Sequence, residues 1–189
     1  MKIFHYLAVF FTIFSVLETK SFEIRVLATV NNQSITNYDL FIETKYQELM
    51  NNRTVNKSQH KQILNQMINE LIKESEVKKN KMSVDKNTVK IKMNEILSQF
   101  SNKIKLKEEI KSNIKLKIEN SIKWNNLILM KFRNKIEINA NEIDQITKYK
   151  DLNDQEKENF TILEKNKKLQ VFSKTHFNEI KKKYFIKIY

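Results

Sequence analysis

Few residues in this chain could do chemistry. Its histidines are His5, His60 and His176, and neither His60 nor His176 has a carboxylate or a second histidine at metal-ligand spacing. The 189 residues include no cysteine, glycine or proline, which excludes thiolate chemistry, disulfides and glycine-dependent phosphate loops. Glu108 and Glu109 stand in lysine-rich sequence, where helix-supporting charge pairs are a better interpretation than an acid/base dyad. We therefore predict a non-enzyme with no catalytic residue, no metal site and no cofactor.

The chain is strongly basic, but this charge alone does not indicate that it binds nucleic acid. The formal net charge is +13, and only three of the 35 basic residues are arginine. Residues 165–187 hold eight lysines against a single acid, Glu179. We interpret this stretch as a solvated basic face, with salt-sensitive steering toward an anionic membrane surface or acidic clients as the alternative. Because arginine is scarce and no nucleic-acid motif is present, no nucleic-acid partner is expected.

The first residues have the pattern of an export signal. Lys2 precedes the apolar run Ile3–Leu17, which only three polar residues interrupt. A membrane span needs about 20 apolar residues, whereas the apolar region of a signal peptide needs only about 7–15. The pattern predicts that residues 1–21 are a cleaved signal peptide and that the protein is periplasmic, with an uncleaved anchor as the alternative. A chain without cysteine is indifferent to an oxidising compartment, which fits this prediction.

Two segments near the ends of the mature chain have the pattern of strands. Ile24–Val30 alternates apolar and polar residues, and Tyr184–Tyr189 is β-branched and aromatic without helical period. Asn31-Asn32 follows the first strand, and asparagine tolerates the positive φ that such a turn needs. If that φ falls on Asn32, Asn32→Gly should be neutral or stabilising. A lone strand has nothing to pair with, so we expect the two end segments to pair. Closing the loop between them costs roughly 4–5 kcal/mol, which burial of a few side chains at about 1.5–3 kcal/mol each offsets.

The rest of the mature chain has helical periodicity, so the predicted fold class is mainly α with a small sheet. Thr36 with Asp39, and Asn139 with Glu142, have the spacing of helix N-caps. The predicted helices are Asn37–Met50, Ser58–Lys79, one capped by Asp85, a short one at Leu106 and Ile110, Lys115–Asn134, one opened by Asn139, and Phe160–Ile180. A polar linker is predicted at 148–159, between the last two.

The order of several short motifs resembles the SurA family of periplasmic chaperones. Residues 24–31, Ile-Arg-Val-Leu-Ala-Thr-Val-Asn, are followed by Ile35-Thr36 and Asp39-Leu40, as in the strand and helix start that open that family. The resemblance continues through 63–72, the helix capped by Asp85, 122–128 and 138–143, and returns at 169–188. It implies a SurA/trigger-factor-like peptide-binding module in which helical region 22–147 and C-terminal helix and strand 160–189 form one unit.

The resemblance also implies a function and a departure from the family. Members hold unfolded outer-membrane proteins in an apolar crevice without ATP, and usual members carry parvulin-type prolyl isomerase domains between the two halves. The segment 148–159 is far too short for such a domain. We therefore expect a periplasmic holdase for outer-membrane or envelope proteins that lacks the isomerase. The alternatives are a membrane-anchored interaction module and an inactive, degenerate member of the isomerase family.

The candidate client-binding residues are large apolar side chains at helical spacing. Packing in the core is one interpretation of them, since large aromatic side chains usually supply burial. The other is an open groove for aromatic-rich client segments, because apolar contact is non-directional and methionine adapts its packing. The candidates are Met67, Leu71, Trp124, Ile128, Phe132 and Phe172.

Overall fold

The computed structural model describes residues 23–100, 107–147 and 152–189, which are mainly helical and include a small antiparallel sheet. The strands are β1 (Val26–Val30), β2 (Gln33–Thr36) and β3 (Ile186–Ile188). The helices are α1 (Asn37–Asn51), α2 (His60–Lys79), α3 (Lys86–Ser98), α4 (Glu108–Ile136), α5 (Ala140–Thr147) and α6 (Asp154–Lys181), with a 3-10 turn at Lys57–Gln59 before α2. The predicted signal peptide, residues 1–21, lies outside the described residues.

The predicted pairing of the two end strands is confirmed. Strand β3 runs antiparallel to β1, with Ala28 opposite Ile188 and Val30 opposite Ile186. Beyond the ladder, the backbone N–H of Asn31 donates to the carbonyl oxygen of Phe185 at 2.8 Å. Strand β2, which was not predicted from the sequence, forms the other edge of the sheet, in the order β2-β1-β3. Strand β1 is therefore central, and both chain ends of the module are hydrogen-bonded to each other.

The turn between β1 and β2 has its positive φ on the first of its two asparagines. The positive φ falls on Asn31, at 50°, and not on Asn32. Asn31 is also the residue that contacts the C-terminal segment, since its side-chain oxygen accepts a hydrogen bond from the Phe185 N–H at 2.9 Å. The sequence indicated an asparagine turn, but the partner that selects the first asparagine comes from the far end of the chain.

The predicted caps set the starts of three helices. The Thr36 side chain accepts a hydrogen bond from the Asp39 N–H, and the Asp39 carboxylate accepts one from the Thr36 N–H, which completes a capping box for α1. Asp85 caps α3 by accepting from the Thr88 N–H at 2.8 Å. Asn139 accepts from the Glu142 N–H at 2.8 Å and opens α5.

Two predicted boundaries were wrong. Helix α6 begins at Asp154 and not at Phe160, because Asn153 and Glu156 form a capping box that the sequence analysis read as linker. Of that linker, residues 148–151 lie outside the described residues. The short helix predicted at Ile110 is the beginning of α4, and Leu106 lies outside the description.

The core joins helices from both ends of the chain. Its main cluster combines the sheet with α2, α4 and α6, and a smaller cluster joins α3 to the first half of α4. Helix α4 therefore contributes to both, and its long apolar face determines where the other helices pack. The buried members of the main cluster are Ala28, Val30, Ile35, Ile68, Ile72, Val77, Trp124, Leu127, Ile128, Ile136 and Ile180, and those of the smaller are Val89, Ile114 and Ile118.

None of the helices in the described ranges combines the length and the apolar character that crossing a membrane requires.

Candidate functional site

A cleft of about 930 Å³ opens between β2, α1, α2 and α4. Helix α1 leaves β2 at the Thr36 cap, so the start of α1 forms one wall of the cleft. Helices α2 and α4, which pack on α1 and on each other, form the other walls. Ser173 of α6 reaches the cleft from behind α4. The cleft thus exists only because elements from both halves of the chain meet.

The floor of the cleft is apolar. Met67 and Leu71 stand one turn apart on α2, and both are half-buried against the main cluster. Trp124 and Leu116 stand eight residues apart on α4, which places them on the same face two turns apart. Trp124 is only 4% exposed, whereas Leu116 is 47% exposed and offers a free apolar surface. Ile42 of α1 lies on the facing wall.

Trp124 is held rigidly from behind. Its indole Nε1–H donates a hydrogen bond to the Ser173 hydroxyl at 2.8 Å. Its ring stacks on His176, with ring centroids 5.8 Å apart, and meets the edge of Phe177 at 6.5 Å. The Lys73 ammonium lies 5.6 Å from the centroid of the Trp124 ring, within cation–π range. The buried indole therefore fixes the position of the floor rather than supplying much free surface.

The structure brings together three of the six candidate client-binding residues. Met67, Leu71 and Trp124 line the cleft. Ile128 is completely buried in the main cluster, and Phe132 and Phe172 stack on each other at 5.0 Å and pack against that cluster. None of these last three is among the residues that line the cleft, because α6 covers that part of the α4 face.

Three residues that complete the apolar walls were not predicted from the sequence. Tyr38 and Ile42 are four residues apart at the start of α1, and Leu116 interrupts a lysine-rich stretch of α4. The available signal was the eight-residue spacing from Leu116 to Trp124, which places an otherwise isolated leucine on the tryptophan face. Tyr38 is 38% exposed, so it and Leu116 are accessible from solvent.

The rim of the cleft is acidic. Among the described residues that line it there are six carboxylates and two ammonium groups. The acids come from α1, α2 and α4, so no single stretch of sequence shows the accumulation. The acidic residues are Asp39, Glu70, Glu74, Glu108 and Glu109, with Glu43 buried beneath them, and the basic ones are Lys73 and Lys117.

Lys117 ties the three helices together beneath the rim. Its ammonium lies 3.0 Å from the Glu43 carboxylate and 2.6 Å from that of Glu70. Burial alone would lower the pKa of Lys117, but attraction to Glu70 and Glu43 outweighs it, so the pKa is raised. The buried Glu43 carboxylate also accepts from the side-chain amides of Asn113 and Gln47, at 3.3 and 3.2 Å. The Lys117 ammonium therefore remains charged, and its two ion pairs connect α4 to α1 and α2.

The other groups that the sequence singled out take structural positions. Glu108 pairs with Lys111 at 2.7 Å, one turn along α4, as expected for a helix-supporting charge pair. His176 is buried, and its Nε2 has no hydrogen-bond partner among the described residues. Burial, together with repulsion from Lys131, lowers the pKa of His176. Within the described ranges, no group of three or more histidine and acidic side chains could hold a metal ion.

Comparison with protein-family models gives no match, and comparison with curated proteins gives none either. The fold and the cleft define a mainly helical module whose N- and C-terminal strands pair and whose helices enclose an apolar cleft with an acidic rim. Kinship with the SurA family stays a prediction from the sequence motifs.

Proposed function

We propose that this protein is an ATP-independent chaperone module that holds extended apolar segments of unfolded proteins in the cleft. The observation that carries the proposal is the half-exposed Leu116 beside Met67 and Leu71 on the cleft floor. A folded monomer gains nothing by leaving such side chains open, and contiguous open apolar surface is typical of binding sites. The clients we propose are outer-membrane or envelope proteins met in the periplasm, which also requires that residues 1–21 direct export.

The composition of the cleft suits many client sequences. Apolar contact is non-directional, so a floor of methionine and leucine accepts different side chains at similar cost. The rigidly held Trp124 gives these flexible residues a fixed base. A volume of about 930 Å³ is within the range of pockets that enclose small ligands, so it accommodates a few residues of an extended chain rather than a folded domain.

Suppression of aggregation tests the proposal. A denatured outer-membrane protein is diluted into buffer with the chain at near-stoichiometric ratio, and light scattering is followed. We expect the wild-type chain to reduce scattering and Leu116→Ser to be less effective. Leu116 is 47% exposed, so its loss removes about 1 kcal/mol of apolar contact with a client and weakens binding about fivefold.

The matched control is Leu163→Ser. Leu163 is 50% exposed on α6 and is not among the residues that line the cleft, so the substitution removes the same exposed side chain elsewhere. We expect Leu163→Ser to protect the client as well as the wild type does. If the wild-type chain does not reduce scattering, the proposal is rejected. If both variants lose protection equally, the activity does not reside in the cleft.

A further inference from the structure

The electrostatics of the cleft oppose those of the whole protein. The chain carries a formal net charge of +13, yet the described residues lining the cleft carry six carboxylates against two ammonium groups. An apolar floor under a negative rim, on a positively charged molecule, is a local charge contrast. Lysines elsewhere on the surface repel a cationic segment, and the rim attracts it. Complementary charge of this kind determines which partner binds more than how tightly it binds.

The two ammonium groups in the cleft are already engaged. Lys117 is shared between Glu43 and Glu70, and Lys73 lies over the Trp124 and Phe177 rings at 5.6 and 5.4 Å. Among the described residues, neither lysine forms a salt bridge with Glu74, Glu108 or Glu109. The cleft itself already holds ammonium groups by two means, against carboxylates and against an aromatic face.

Within the described part of the chain, two of the rim acids pair only with a lysine of their own helix. Glu74 pairs with Lys78 at 2.6 Å and Glu108 with Lys111 at 2.7 Å, each within its own helix. Surface pairs of this kind contribute only about 0–1 kcal/mol, so a cation brought by a ligand can exchange with them at little cost. Glu109, in the first turn of α4, adds an exposed carboxylate beside Glu108.

We propose that the cleft selects cationic apolar segments, in which aromatic or aliphatic residues are flanked by lysine or arginine. This inference rests on the proposed function and names the client class for the same site. The apolar side chains contact Met67, Leu71 and Leu116, while the flanking cations face Glu74, Glu108 and Glu109. Acidic clients, which the lysine-rich sequence offered as an alternative, are disfavoured at this cleft by the same charges.

The chain provides its own reporter for the test. Trp124 is the only tryptophan and lies on the cleft floor, so its fluorescence responds to tryptophan-free peptides that enter. Three peptides share one apolar and aromatic core and differ only in their flanks, which are lysine, glutamine or glutamate. We expect affinity to fall in that order, with about a tenfold difference between the lysine and glutamate peptides at low salt. Added salt should narrow the difference, because exposed charges are screened.

Charge-matched variants locate the effect. The triple variant Glu74→Gln/Glu108→Gln/Glu109→Gln removes rim charge, and Glu158→Gln/Glu164→Gln/Glu179→Gln removes the same charge from α6, away from the cleft. We expect the rim triple to abolish the preference for lysine flanks and the α6 triple to retain it. Glu109→Gln alone, a single exposed side chain, should reduce the preference about twofold if the rim triple proves unstable.

The outcomes separate this inference from the proposed function. If all three peptides bind the wild type equally, charge selection is overturned while the apolar holdase stands. If none binds and aggregation is also unaffected, both proposals fall. If the α6 triple variant loses the preference for lysine flanks as completely as the rim triple variant does, the selection comes from the electrostatic field of the whole protein and the inference is overturned. A wild-type chain that light scattering shows to be a dimer, and that the rim triple makes monomeric, would place a second copy in the cleft and overturn it as well.

Discussion

A substitution of Asn31 by glycine separates two roles of one side chain. Asn31 has φ of 50°, a left-handed conformation that glycine adopts without strain. Its side-chain oxygen also accepts a hydrogen bond from the Phe185 N–H at 2.9 Å, which joins the first turn of the module to the residue before its last strand. Asn31→Gly keeps the backbone conformation and removes only that hydrogen bond.

The expected loss follows from the exposure of the partner. Phe185 is 71% exposed, so water can replace the lost acceptor, and the cost is the net value of one hydrogen bond, about 1 kcal/mol. Asn31→Ala loses the same bond and also places a Cβ in the left-handed region, which adds about 1–2 kcal/mol. We therefore expect free energies of unfolding lower by about 1 kcal/mol for glycine and about 2–3 kcal/mol for alanine.

Asn52→Gly is the matched control. Asn52 has φ of 49° after the last turn of α1, and its side chain forms no hydrogen bond with the described residues. Glycine is the preferred residue at this helix-ending position, so the same substitution should be neutral or stabilising. Both substitutions thus replace an asparagine with φ near 50° by glycine, but their expected effects on the free energy of unfolding are opposite.

Urea denaturation followed by circular dichroism at the helical band measures the three variants. The slope with urea should stay constant, so that shifts of the midpoint report stability. If Asn31→Gly and Asn52→Gly move the midpoint by the same amount in the same direction, the contact between Asn31 and Phe185 contributes nothing and the reasoning is refuted.

Two further changes test the fold. Deleting Tyr184–Tyr189 removes β3 and two side chains that pack on the main cluster, and should cost about 3–6 kcal/mol in a single cooperative transition; an unchanged midpoint would contradict the sheet. The lowered pKa of His176 lies below its unfolded value of 6.5, so the unfolded chain takes up the proton first. The free energy of unfolding should therefore stay constant above about pH 6.5 and decrease as the pH falls below that value, by at most about 1.4 kcal/mol per pH unit. His176→Phe should remove this part of the slope in urea titrations between neutral and mildly acidic pH; an unchanged slope would show that His176 is not its source.

Much of the fold could be predicted from local sequence patterns. The caps at Thr36 and Asp85 were predicted at their observed places, because hydrogen-bonding side chains act over a few residues. The two end strands were also predicted, although each observed strand is shorter than its predicted segment. The start of α6 was misplaced because its cap, Asn153, stands in polar sequence that also has the composition of a linker. The three-residue spacing from Asn153 to Glu156 is the local signal of this cap.

Only half of the candidate site could be predicted from the sequence. Periodicity placed Trp124, Ile128 and Phe132 on one face of α4. Because periodicity gives only the face, it could not distinguish which of the three binds a client. Helix α6 then covers the second half of that face, so Ile128 has no exposure while Leu116, on the uncovered half, has 47%. Which apolar side chain stays open depends on a helix that begins some forty residues later in the chain than Leu116.

By itself, the sequence determined the helix starts capped by Thr36, Asp85 and Asn139, the apolar faces and the pairing of the chain ends. Tertiary structure alone decided the extent of the cleft and its negative rim. The reason is one of range: capping and periodicity are interactions within one or two turns. Covering a face, or collecting carboxylates from α1, α2 and α4 around Leu116, requires that separate helices meet.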